Sequence, residues 1–464
     1  MPQGFRLLTF DIKMGVKVLL DNDHIEGIRY YDTYRKHGGY RAAEKAFKMA
    51  PADIVEEVKK SGLRGRGGAG FPTGMKWSFL AKPEGVPRHL VCNADESEPG
   101  TFKDRYLMEF HPHLFIEGLL ISSFALGSNT TYVYIRGEYA WIPDILEQAI
   151  TEAKNNGWLG KNIQGTGFDC EIYVHRGAGA YICGEETALI ESLEGKRGNP
   201  RMKPPFPAIQ GVWMRPTVVN NVETIAAVVP IINMGGDEYA KIGMGKSTGT
   251  KLLSVCGNVN KPGVYEIDMT ISVEEFIYSD EYCGGIPKGK RLKACIPGGS
   301  SVPIIPANLL LKTAKGETRM MNYESLSDGG FASGSMMGSG GFIVLDEDQC
   351  VVRHTMTLAR FYNHESCGQC SPCREGTGWM YKILKNIEYG KGKMSDIDLL
   401  WDIQRRIEGN TICPLGDAAA WPVAAAIRHF RDEFEWHILN PDESQRRNFG
   451  LAHYADPIHI PASA

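Results

Sequence analysis

The stretch Glu365-Ser-Cys367-Gly-Gln-Cys370-Ser-Pro-Cys373-Arg-Glu-Gly376 sets the architecture of the C-terminal part of this chain. Its three cysteines stand three residues apart, and the glycine and proline between them prevent a regular helix through the run. A loop of this kind can turn three sulfur atoms toward one centre, as in the C-x₂-C-x₂-C runs that bind iron–sulfur clusters. A fourth ligand is needed, and Cys413 follows 40 residues after the third cysteine.

Four helical patterns surround this loop and predict a four-helix bundle. Apolar residues recur at helical spacing in the segments 352–359, 380–387, 399–407 and 421–430. We predict an N-cap for the third helix at Ser395, with Asp398 three residues on. In an up-down-up-down bundle the first and third connections lie at the same end. The first connection carries the cysteine loop and the third carries Cys413, so the bundle brings four sulfur atoms together.

Zinc is the main alternative ligand of these cysteines. Structural zinc sites usually take two paired C-x₂-C arms, or cysteines together with histidines, and His364 could complete a Cys₃His set. Unrelated free thiols are a further alternative. We interpret the spacing as a 4Fe–4S site, with the metal ligands Cys367, Cys370, Cys373 and Cys413.

The composition is that of an ordinary globular protein of two to four domains, with 464 residues, 43% hydrophobic residues and a net charge of −4. No basic excess points to nucleic acid. The longest apolar run, 225–234, is short and contains Pro230, so we predict no membrane-spanning helix. Neither a signal nor a transit pattern is visible at the N-terminus. Eleven scattered cysteines favour a reducing compartment. We therefore predict a cytosolic protein, or one attached to a membrane only through partners.

A glycine-rich segment, Gly65-Arg-Gly-Gly-Ala-Gly70, contains a literal G-x-G-x-x-G pattern. It follows a helical segment, 51–60, rather than a strand, so it is not a Rossmann fingerprint. We interpret it as a loop whose backbone can approach a nucleotide, flanked by Arg66 and Lys76. The alternative, a plain surface turn, fits poorly beside the aromatic residues that follow.

Alternating strand and helix patterns come next and predict a parallel sheet covered by helices. The strands are predicted at 89–93, 131–135 and 170–175, and the helices at 114–126, 142–154, 185–193 and 222–234. Ligands of such sheets bind at the carboxyl ends of the strands. The segments that follow the strands are therefore the candidate binding residues.

Polar residues follow the first predicted strand in the run 93–105. A solvated charged surface is the usual interpretation of such a run. At the end of a buried strand, however, the side chains of Asn93, Asp95, Glu96 and Glu98 favour hydrogen bonds to ligand hydroxyls or to a ring imide.

A second glycine-rich turn, 177–187, follows the third predicted strand. Its carboxylates, Glu185 and Glu186, suit the start of a helix but would repel phosphate, so we expect a ring or a ribose there. The proline-rich segment 203–207 would hold Phe206 in place, although a core aromatic residue is equally compatible with the pattern. Asn220 and Asn221 precede a helix and offer a place for a phosphate.

Residues 251–345 predict a small α+β module. Short strand patterns at 252–256, 264–267, 292–296 and 342–345 surround one helical segment, 273–278. The turn 298–301 is more typical of an ordinary turn than of a phosphate loop. Beyond about residue 440 we predict an irregular tail.

Together these motifs resemble the NADH-binding flavoprotein subunit of respiratory complex I, the proton-pumping NADH:quinone oxidoreductase, of the bacterial type. The resemblance covers about residues 50–430, with matching segments at 65–74, 93–105, 177–186, 203–207, 220–224 and 365–376 with Cys413. It implies an α/β fold. The implied domains are an N-terminal extension (1–60), a Rossmann-like FMN- and NADH-binding domain (61–245), a β-grasp module (246–340), a four-helix bundle with a 4Fe–4S cluster (341–440) and a tail (441–464).

The resemblance also implies which residues hold the cofactors. Residues placed around FMN or NADH are Gly65, Arg66, Gly67, Gly68, Ala69, Gly70, Phe71, Gly74, Lys76, Phe79, Asn93, Asp95, Glu96, Glu98, Tyr181, Gly184, Glu185, Glu186, Phe206, Asn220, Asn221 and Thr224. Among them, Phe71, Phe79 and Phe206 would sandwich the adenine of NADH, and Glu98 and Glu186 would lie near its riboses or nicotinamide. No side chain is implied as a catalytic acid or base.

The activity implied is oxidation of NADH. A hydride would pass to FMN, and single electrons would then pass through the 4Fe–4S cluster to partner subunits and finally to quinone. The implied partners are a small thioredoxin-like 2Fe–2S subunit and a large iron–sulfur subunit, at the cytoplasmic side of the inner membrane without direct membrane insertion. The alternatives are the diaphorase subunit of an NAD-linked hydrogenase or formate dehydrogenase, and a non-catalytic scaffold with structural zinc.

Overall fold

A four-stranded parallel sheet forms the centre of the first part of the chain, in a computed structural model that describes residues 15–442. The predicted tail and the first 14 residues lie outside this range. The strand order is β3-β2-β1-β4, and Asn93 in β1 stands level with Asn221 in β4. The strands are β1 (His89–Ala94), β2 (Thr130–Ile135), β3 (Glu171–Arg176) and β4 (Thr217–Asn221).

The sequence predicts three of these strands but not β4. The five residues of β4 follow Pro216 and lead at once into a helix, so their pattern indicates only a helix start. The pairing of β1 with both β2 and β4 places β1 inside the sheet, where its residues His89–Cys92 are buried. The predicted parallel α/β arrangement is confirmed.

Eleven α-helices accompany this sheet in the α/β unit, residues 15–240. They are α1 (Tyr31–Lys36), α2 (Arg41–Ala46), α3 (Pro51–Lys60), α4 (Thr73–Ser78), α5 (Lys103–Phe110), α6 (Pro112–Leu126), α7 (Ile142–Asn155), α8 (Glu186–Leu193), α9 (Val222–Ala226), α10 (Val228–Met234) and α11 (Gly236–Ala240). The single helix predicted over 222–234 is therefore two short helices. Gly235 follows the second with a φ of +98°, which ends it.

Residues 15–60, which fall within the N-terminal extension that the resemblance implies, contribute buried side chains to the core of this unit. The buried carboxylate of Glu117 on α6 accepts hydrogen bonds from the Tyr40 and Ala43 amides, at 2.8 and 3.0 Å. The carboxylate of Glu266 accepts from the amides of residues 18–20, at 2.8–3.1 Å. These bonds tie the N-terminal segment to two different parts of the molecule.

A five-stranded mixed sheet organises the second unit, residues 243–346, in the order β10-β9-β11-β7-β8. After a small hairpin, β5 (Gly243–Met244) and β6 (Ser247–Thr248), come β7 (Lys251–Gly257), β8 (Gly263–Ile267), β9 (Leu292–Ile296), β10 (Ile305–Pro306) and β11 (Gly341–Asp346). Helices α12 (Val273–Tyr278), α13 (Ala307–Leu311), α14 (Tyr323–Ser327) and α15 (Gly330–Ser333) accompany them. The predicted α+β module is confirmed, with all four predicted strands and the predicted helix present.

The C-terminal bundle, residues 351–439, consists of α16 (Val351–Glu365), α17 (Ser371–Glu388), α18 (Met394–Ile407) and α19 (Leu415–Leu439). The predicted four helices are confirmed, but the N-cap assigned to Ser395 is wrong. The third helix begins at Met394, one residue before Ser395. Its cap is Lys393, whose amide donates to the carboxylate of Asp396 at 2.8 Å. Among residues 15–442, no helix has the length and apolar composition needed to cross a membrane.

Candidate flavin and iron–sulfur site

A cavity of about 590 Å³ opens where β1 and β4 end. All three units contribute to its wall. The lining residues are Gly67–Ala69, Asn93, Asp95–Glu98, Thr101, Lys103, Asp104, Tyr181, Ile182, Gly184, Glu185 and Asn221 from the α/β unit, Ser301, Val302, Met336, Gly338 and Ser339 from the second unit, and Pro414, Leu415, Asp417, Ala418 and Trp421 from the bundle. The volume is in the range of cofactor pockets.

The glycine loop closes on itself at the cavity mouth. The Gly65 amide donates to the Phe71 carbonyl at 2.8 Å, and the Arg66 amide donates to the Thr224 hydroxyl at 2.8 Å. A Cβ on Gly67 would lie 2.9 Å from the Cβ of Asn221, too close for any larger residue without movement. Gly67 therefore lets the loop pack closely on Asn221, whereas a Cβ on the neighbouring cavity-lining Gly68 would meet nothing within 4 Å, so a ligand can approach the backbone there.

The Arg66 side chain points into the protein rather than into the cavity. Its buried guanidinium donates to the Tyr323 hydroxyl at 3.0 Å and to the Thr248 carbonyl at 2.7 Å. These bonds join the glycine loop to the second unit. Arg66 thus supports the loop through its side chain, and only its backbone is near the candidate site.

Asp95, just after β1, is one of the residues that line the cavity. One carboxylate oxygen accepts from the Ser97 hydroxyl at 2.8 Å, and the other is buried with no hydrogen-bond partner. Burial raises the pKa of Asp95 to about 7. Neighbouring Asn93 donates its side-chain amide to the Gly184 carbonyl at 2.8 Å, which fixes the glycine turn against the strand end. Buried polar atoms are normally hydrogen-bonded, so a donor group on a ligand would supply the bond that this oxygen lacks.

The next two carboxylates along the run make bonds within the protein. Glu96 accepts from the amides of Asp104 and Arg105 at 2.8 and 2.9 Å, and thereby caps α5. Burial raises the pKa of Glu96 to about 7, helped by the charge of Asp104. Glu98 accepts from the Tyr181 hydroxyl and from the Ser301 amide, both at 2.6 Å. Glu98 therefore joins the glycine turn to the second unit.

A buried ionic network lies under the cavity, and sequence reasoning missed it. Lys103 contacts Asp104 and Glu223, each at 2.7 Å, and Lys251 contacts Glu223 at 2.7 Å. The side-chain amide of Asn221 donates to Asp104 at 2.6 Å. Lys103 and Asp104 are visible in the strand-end run, but their burial depends on Glu223 and Lys251, which are distant in sequence. Lys103 adds a buried cation to the cavity wall.

The two carboxylates of the second glycine turn have different partners. Glu185 caps α8, accepting from the amides of Thr187 and Ala188 at 2.8 and 3.0 Å. Glu186 lies between Lys76 and Lys203, each at 2.8 Å. Burial raises the pKa of Glu186, but the two ammonium groups outweigh burial and lower it to about 2. Glu186 thus links Lys76, which follows the first glycine loop, to Lys203 in the proline-rich segment.

Three predicted aromatic residues lie at the surface beside these lysines rather than in the cavity. Phe71, Phe79 and Phe206 are 47%, 58% and 55% exposed. The rings of Phe71 and Phe79 are 6.3 Å apart, and the Ala81 amide donates to the Ala208 carbonyl, which ties the segment after α4 to the segment of Phe206. Exposed rings held by rigid turns suit stacking of a planar heterocycle.

Several other predicted residues make hydrogen bonds or packing contacts within the protein. Gly70 has a φ of +64°, and its carbonyl accepts from Arg64 at 2.9 Å. Gly74 packs on α3, where a Cβ would lie 2.6 Å from the Lys59 amide nitrogen. Asn220 accepts from the Trp77 indole at 2.8 Å, whereas Asn221 caps α9 and also lines the cavity.

The four cysteines of the predicted cluster site come together at one end of the bundle. Cys373 is buried, and Cys367, Cys370 and Cys413 pack against the bundle core beside it. Burial raises the pKa of Cys373 to about 11 and that of Cys413 to about 12, and the neighbouring thiols raise both further. Buried thiols that are neutral on their own become good ligands when a metal replaces their protons.

The exposed His364 does not complete a Cys₃His zinc site at this loop. Sulfur ligands of one tetrahedral zinc stand about 3.8 Å apart, given a Zn–S distance of about 2.3 Å. In the described part of the chain, three ligand atoms come within 4.8 Å of one another at Cys350, Glu433 and His437, not at this loop.

The cysteine loop and the cavity share a wall. Glu365, which precedes the first cysteine, accepts from the Tyr181 amide at 2.8 Å. The Tyr181 ring contacts Phe361 and Tyr362 on α16, with centroids 5.1 and 5.9 Å apart. Cys413 is followed directly by Pro414 and Leu415, which line the cavity. A group in the cavity and a group held by the cysteines are therefore neighbours.

Comparisons with known proteins agree with these features. Residues 58–230 match a family described as the Nuo51 FMN-binding domain, residues 251–343 an SLBB domain, and residues 353–437 the NADH-ubiquinone oxidoreductase-F iron–sulfur binding region. The second F subunit of NADH-quinone oxidoreductase in Rhizobium meliloti is 51% identical over 423 residues, 91% of this chain and 97% of that protein. The corresponding F subunit of Rickettsia bellii is 50% identical, covering 90% and 98%.

A solved structure resembles the chain as well. A chain of an NAD⁺-reducing NiFe hydrogenase in its H₂-reduced state aligns with a TM-score of 0.76 and 35% identity. The alignment covers 85% of this chain and 64% of that one. The shared structure therefore extends over nearly all of this chain but leaves a third of the hydrogenase chain unmatched.

Proposed function

Because the chain belongs to the family of NADH-quinone oxidoreductase F subunits, with FMN and 4Fe–4S domains, we propose that it oxidises NADH and passes the electrons to a partner iron–sulfur subunit. FMN and a 4Fe–4S cluster are its cofactors, and NADH is its substrate. The observation that carries the proposal is the shared wall, because one cavity is lined both by the ends of β1 and β4 and by the residues after Cys413.

The cavity fits FMN by its volume, its glycine cradle and the unpartnered Asp95 oxygen. When bound, FMN accepts a hydride from NADH and releases electrons singly, which the cluster can carry onward. Gly68 lets the ligand approach the backbone, and Asp95 accepts a hydrogen bond from it. Asn221 and Lys103 lie on the same wall, where both contact Asp104 and Lys103 also contacts Glu223.

Glu96 and Glu98 line the cavity, and their carboxylates hold neighbouring parts of its wall in place. Glu98 holds Ser301 and Tyr181 over the cavity, and Glu96 holds the start of α5. The second unit thereby covers one side of the cavity. Such pre-positioned groups orient the reactants and exclude water without taking part in proton transfer.

We assign the surface beside this cavity to NADH. Phe71, Phe79 and Phe206 provide exposed rings for the adenine, in keeping with their position next to Lys76 and Lys203. The carboxylate between those lysines, Glu186, is ionised at neutral pH because its pKa is near 2. It is suited to hydrogen-bond a ribose hydroxyl.

We assign the cluster to Cys367, Cys370, Cys373 and Cys413, and the electron exit to the surface beside them. Exposed Trp379 on α17 and Ile412, next to the fourth cysteine, offer apolar area at this end of the bundle. A small thioredoxin-like 2Fe–2S subunit and a large iron–sulfur subunit are the proposed partners there, leading to quinone. The proposed location is peripheral, at the cytoplasmic side of the inner membrane. We also retain the domain divisions after residues 245 and 340 as part of the proposal.

The test uses the full chain reconstituted anaerobically with FMN, iron and sulfide. We expect about one FMN and about four iron atoms per chain, bleaching of the flavin by NADH, and a cluster signal in electron paramagnetic resonance only when FMN is present. A chain that holds FMN but is not reduced by NADH would overturn the proposed oxidation. A flavin that is reduced while the cluster stays oxidised would overturn the electron path.

A diaphorase role in a hydrogenase is the second candidate, favoured by the TM-score of 0.76 with the NAD⁺-reducing enzyme. The identity of 51% over nearly the whole of the Rhizobium protein favours the quinone oxidoreductase. Deleting the gene separates the two roles. Loss of NADH-driven quinone reduction in membranes supports the first, whereas loss of hydrogen-dependent NAD⁺ reduction supports the second.

A further inference from the structure

A second group of metal-ligand side chains lies at the opposite end of the bundle from the cysteine loop. It joins Cys350, which precedes α16, to Glu433 and His437 near the end of α19. One ligand atom from each lies within 4.8 Å of the other two, and Cys350 Sγ is 3.2 Å from His437 Nε2. Glu433 and His437 are buried and Cys350 is partly exposed. An ion could therefore enter from the Cys350 side.

The three atoms have the types and spacing of a zinc site. Sulfur and nitrogen ligands of a tetrahedral zinc stand about 3.5 Å apart, given bonds of about 2.3 and 2.0 Å. The observed 3.2 Å separation needs only a small opening to admit the ion. A thiolate, an imidazole and a carboxylate together suit zinc better than calcium or magnesium, which take oxygen ligands.

A carboxylate lies near the second ring nitrogen of His437, beyond hydrogen-bond distance, so a metal-bound ring would need a small shift to donate to it. With Nε2 directed at Cys350, Nδ1 lies 3.9 Å from a carboxylate oxygen of Glu388 at the end of α17. The other oxygen of Glu388 contacts Arg353. A carboxylate behind the second ring nitrogen fixes the ring orientation of a metal-bound histidine. The Glu388 oxygen that lies near Nδ1 is also 3.8 Å from Cys350 Sγ, so Glu388 borders two of the three proposed ligands.

Two cations near the site each pair with one of its carboxylates. Lys293 contacts Glu433 at 3.0 Å, and Arg353 contacts Glu388. An ordinary buried polar cluster would use these same ion pairs. Cys350 Sγ also caps α16 by accepting from the Arg353 amide at 3.4 Å, and Glu433 accepts from the Val351 amide at 2.8 Å. The zinc proposal rests on the convergence of a thiol, an imidazole and a carboxylate within 4.8 Å.

We propose that Cys350, Glu433 and His437 bind a Zn²⁺ ion, with water completing the fourth position. The ion would join the start of α16 to the end of α19, far along the bundle from the cysteine loop. Its role would be to fasten the end of the bundle, in addition to the electron-transfer function proposed above.

The experiment measures zinc, iron and FMN in the same sample of full-length holoprotein, purified anaerobically from zinc-supplemented cells. We expect about one zinc per chain beside about four iron atoms. Combining Cys350→Ser with His437→Gln should remove the zinc and leave iron and FMN in place. The control, Cys283→Ser, changes a buried thiol of the second unit and should keep the zinc. Glu388→Gln should weaken zinc binding about 10- to 100-fold.

Two results would overturn the proposal. One is wild-type protein that contains no zinc while its iron and FMN are complete. The other is zinc that persists in the double variant. If the double variant does not fold, Co²⁺ titration of wild-type holoprotein decides the question. A thiolate-to-cobalt absorption band that is absent from Cys350→Ser supports the site, and its absence from wild type rejects it.

Discussion

Replacing Glu186 by Gln tests the proposed NADH surface. The carboxylate lies 2.8 Å from Lys76 and 2.8 Å from Lys203, and Lys203 is also 3.1 Å from Glu185. NADPH differs from NADH by a phosphate on the adenosine ribose, which a nearby carboxylate repels and nearby cations attract. In Glu186→Gln the two lysines lose their shared partner. We therefore expect the variant to accept NADPH better while NADH oxidation changes little.

The size of the effect follows from the pKa of Glu186. The fall from the ordinary value of 4.5 to about 2 corresponds to about 3 kcal/mol of interaction with the surroundings. A 2′-phosphate near the same lysines could recover part of that energy, between about 1 and 3 kcal/mol. The ratio of kcat/KM for NADPH to that for NADH should therefore rise about 5- to 150-fold.

The same pKa has a consequence for stability. Because the folded value is lower than the unfolded one, the Glu186 carboxylate stabilises the protein above about pH 4.5, and this contribution disappears as the pH falls through about 2. The Gln variant should accordingly melt at a lower temperature than wild type at pH 7. Melting curves separate this effect from the change in cofactor preference.

The assay is NADH- and NADPH-dependent ferricyanide reduction by the full reconstituted chain. Glu194→Gln is the matched control, since Glu194 follows α8, contacts Lys196 and Arg201 at 2.8 Å each, and does not line the cavity. The control should lose stability without changing cofactor preference. If the NADPH/NADH ratio is the same in wild type and Glu186→Gln, Glu186 does not face the 2′ position and the reasoning fails.

Three further predictions concern the cofactor ligands. Cys413→Ser should lose the cluster signal and part of the iron, while NADH still bleaches the flavin. The control, Cys283→Ser, should keep the cluster signal and all of the iron. Iron analysis and paramagnetic resonance measure the outcome, and an unchanged cluster in Cys413→Ser contradicts the four-ligand assignment. Asp95→Asn should weaken FMN binding. Because burial raises the pKa of Asp95 from 3.8 to about 7, the FMN-free wild type should lose up to about 4 kcal/mol of stability between pH 4 and pH 7, and denaturant titrations should show no such loss in the variant. Gly67→Ala places a Cβ 2.9 Å from Asn221 and should weaken FMN binding at least tenfold by fluorescence titration, whereas Gly65→Ala, where the nearest atom is 3.4 Å away, should bind FMN nearly normally.

Local patterns are enough to predict most of the architecture. Period-2 and period-3.6 patterns locate three strands of the parallel sheet, the module and the four bundle helices. They fail where a segment is too short to show a period, as in β4, and at the N-terminus of α18. There Asp396, not the Ser395 side chain, makes the capping bond. Residues 15–50 carry no clear pattern because their position in the core depends on Glu117 and Glu266, which are remote in sequence.

The candidate site is predictable only in part for the same reason. Glycines and carboxylates at strand ends can be recognised from spacing, and Asp95 and Asn221 do line the cavity. The inward direction of Arg66 and the bonding of Glu98 to Ser301 depend on the second unit, more than 150 residues away. Burial of Lys103 likewise requires Glu223. Such roles are set by tertiary contacts that no local pattern encodes.

The shared wall also limits how this protein can be divided by engineering or by evolution. A minimal flavoprotein cut out before residue 243 would lack Ser301, the partner of Glu98, and Leu415, part of the cavity wall. It would also lack Glu365, the acceptor for the Tyr181 amide. The α/β unit alone would therefore not form the complete cavity. A lineage that altered the bundle would have to preserve Glu365 and Leu415, whereas the far end, around Cys350, could vary without changing the cavity wall.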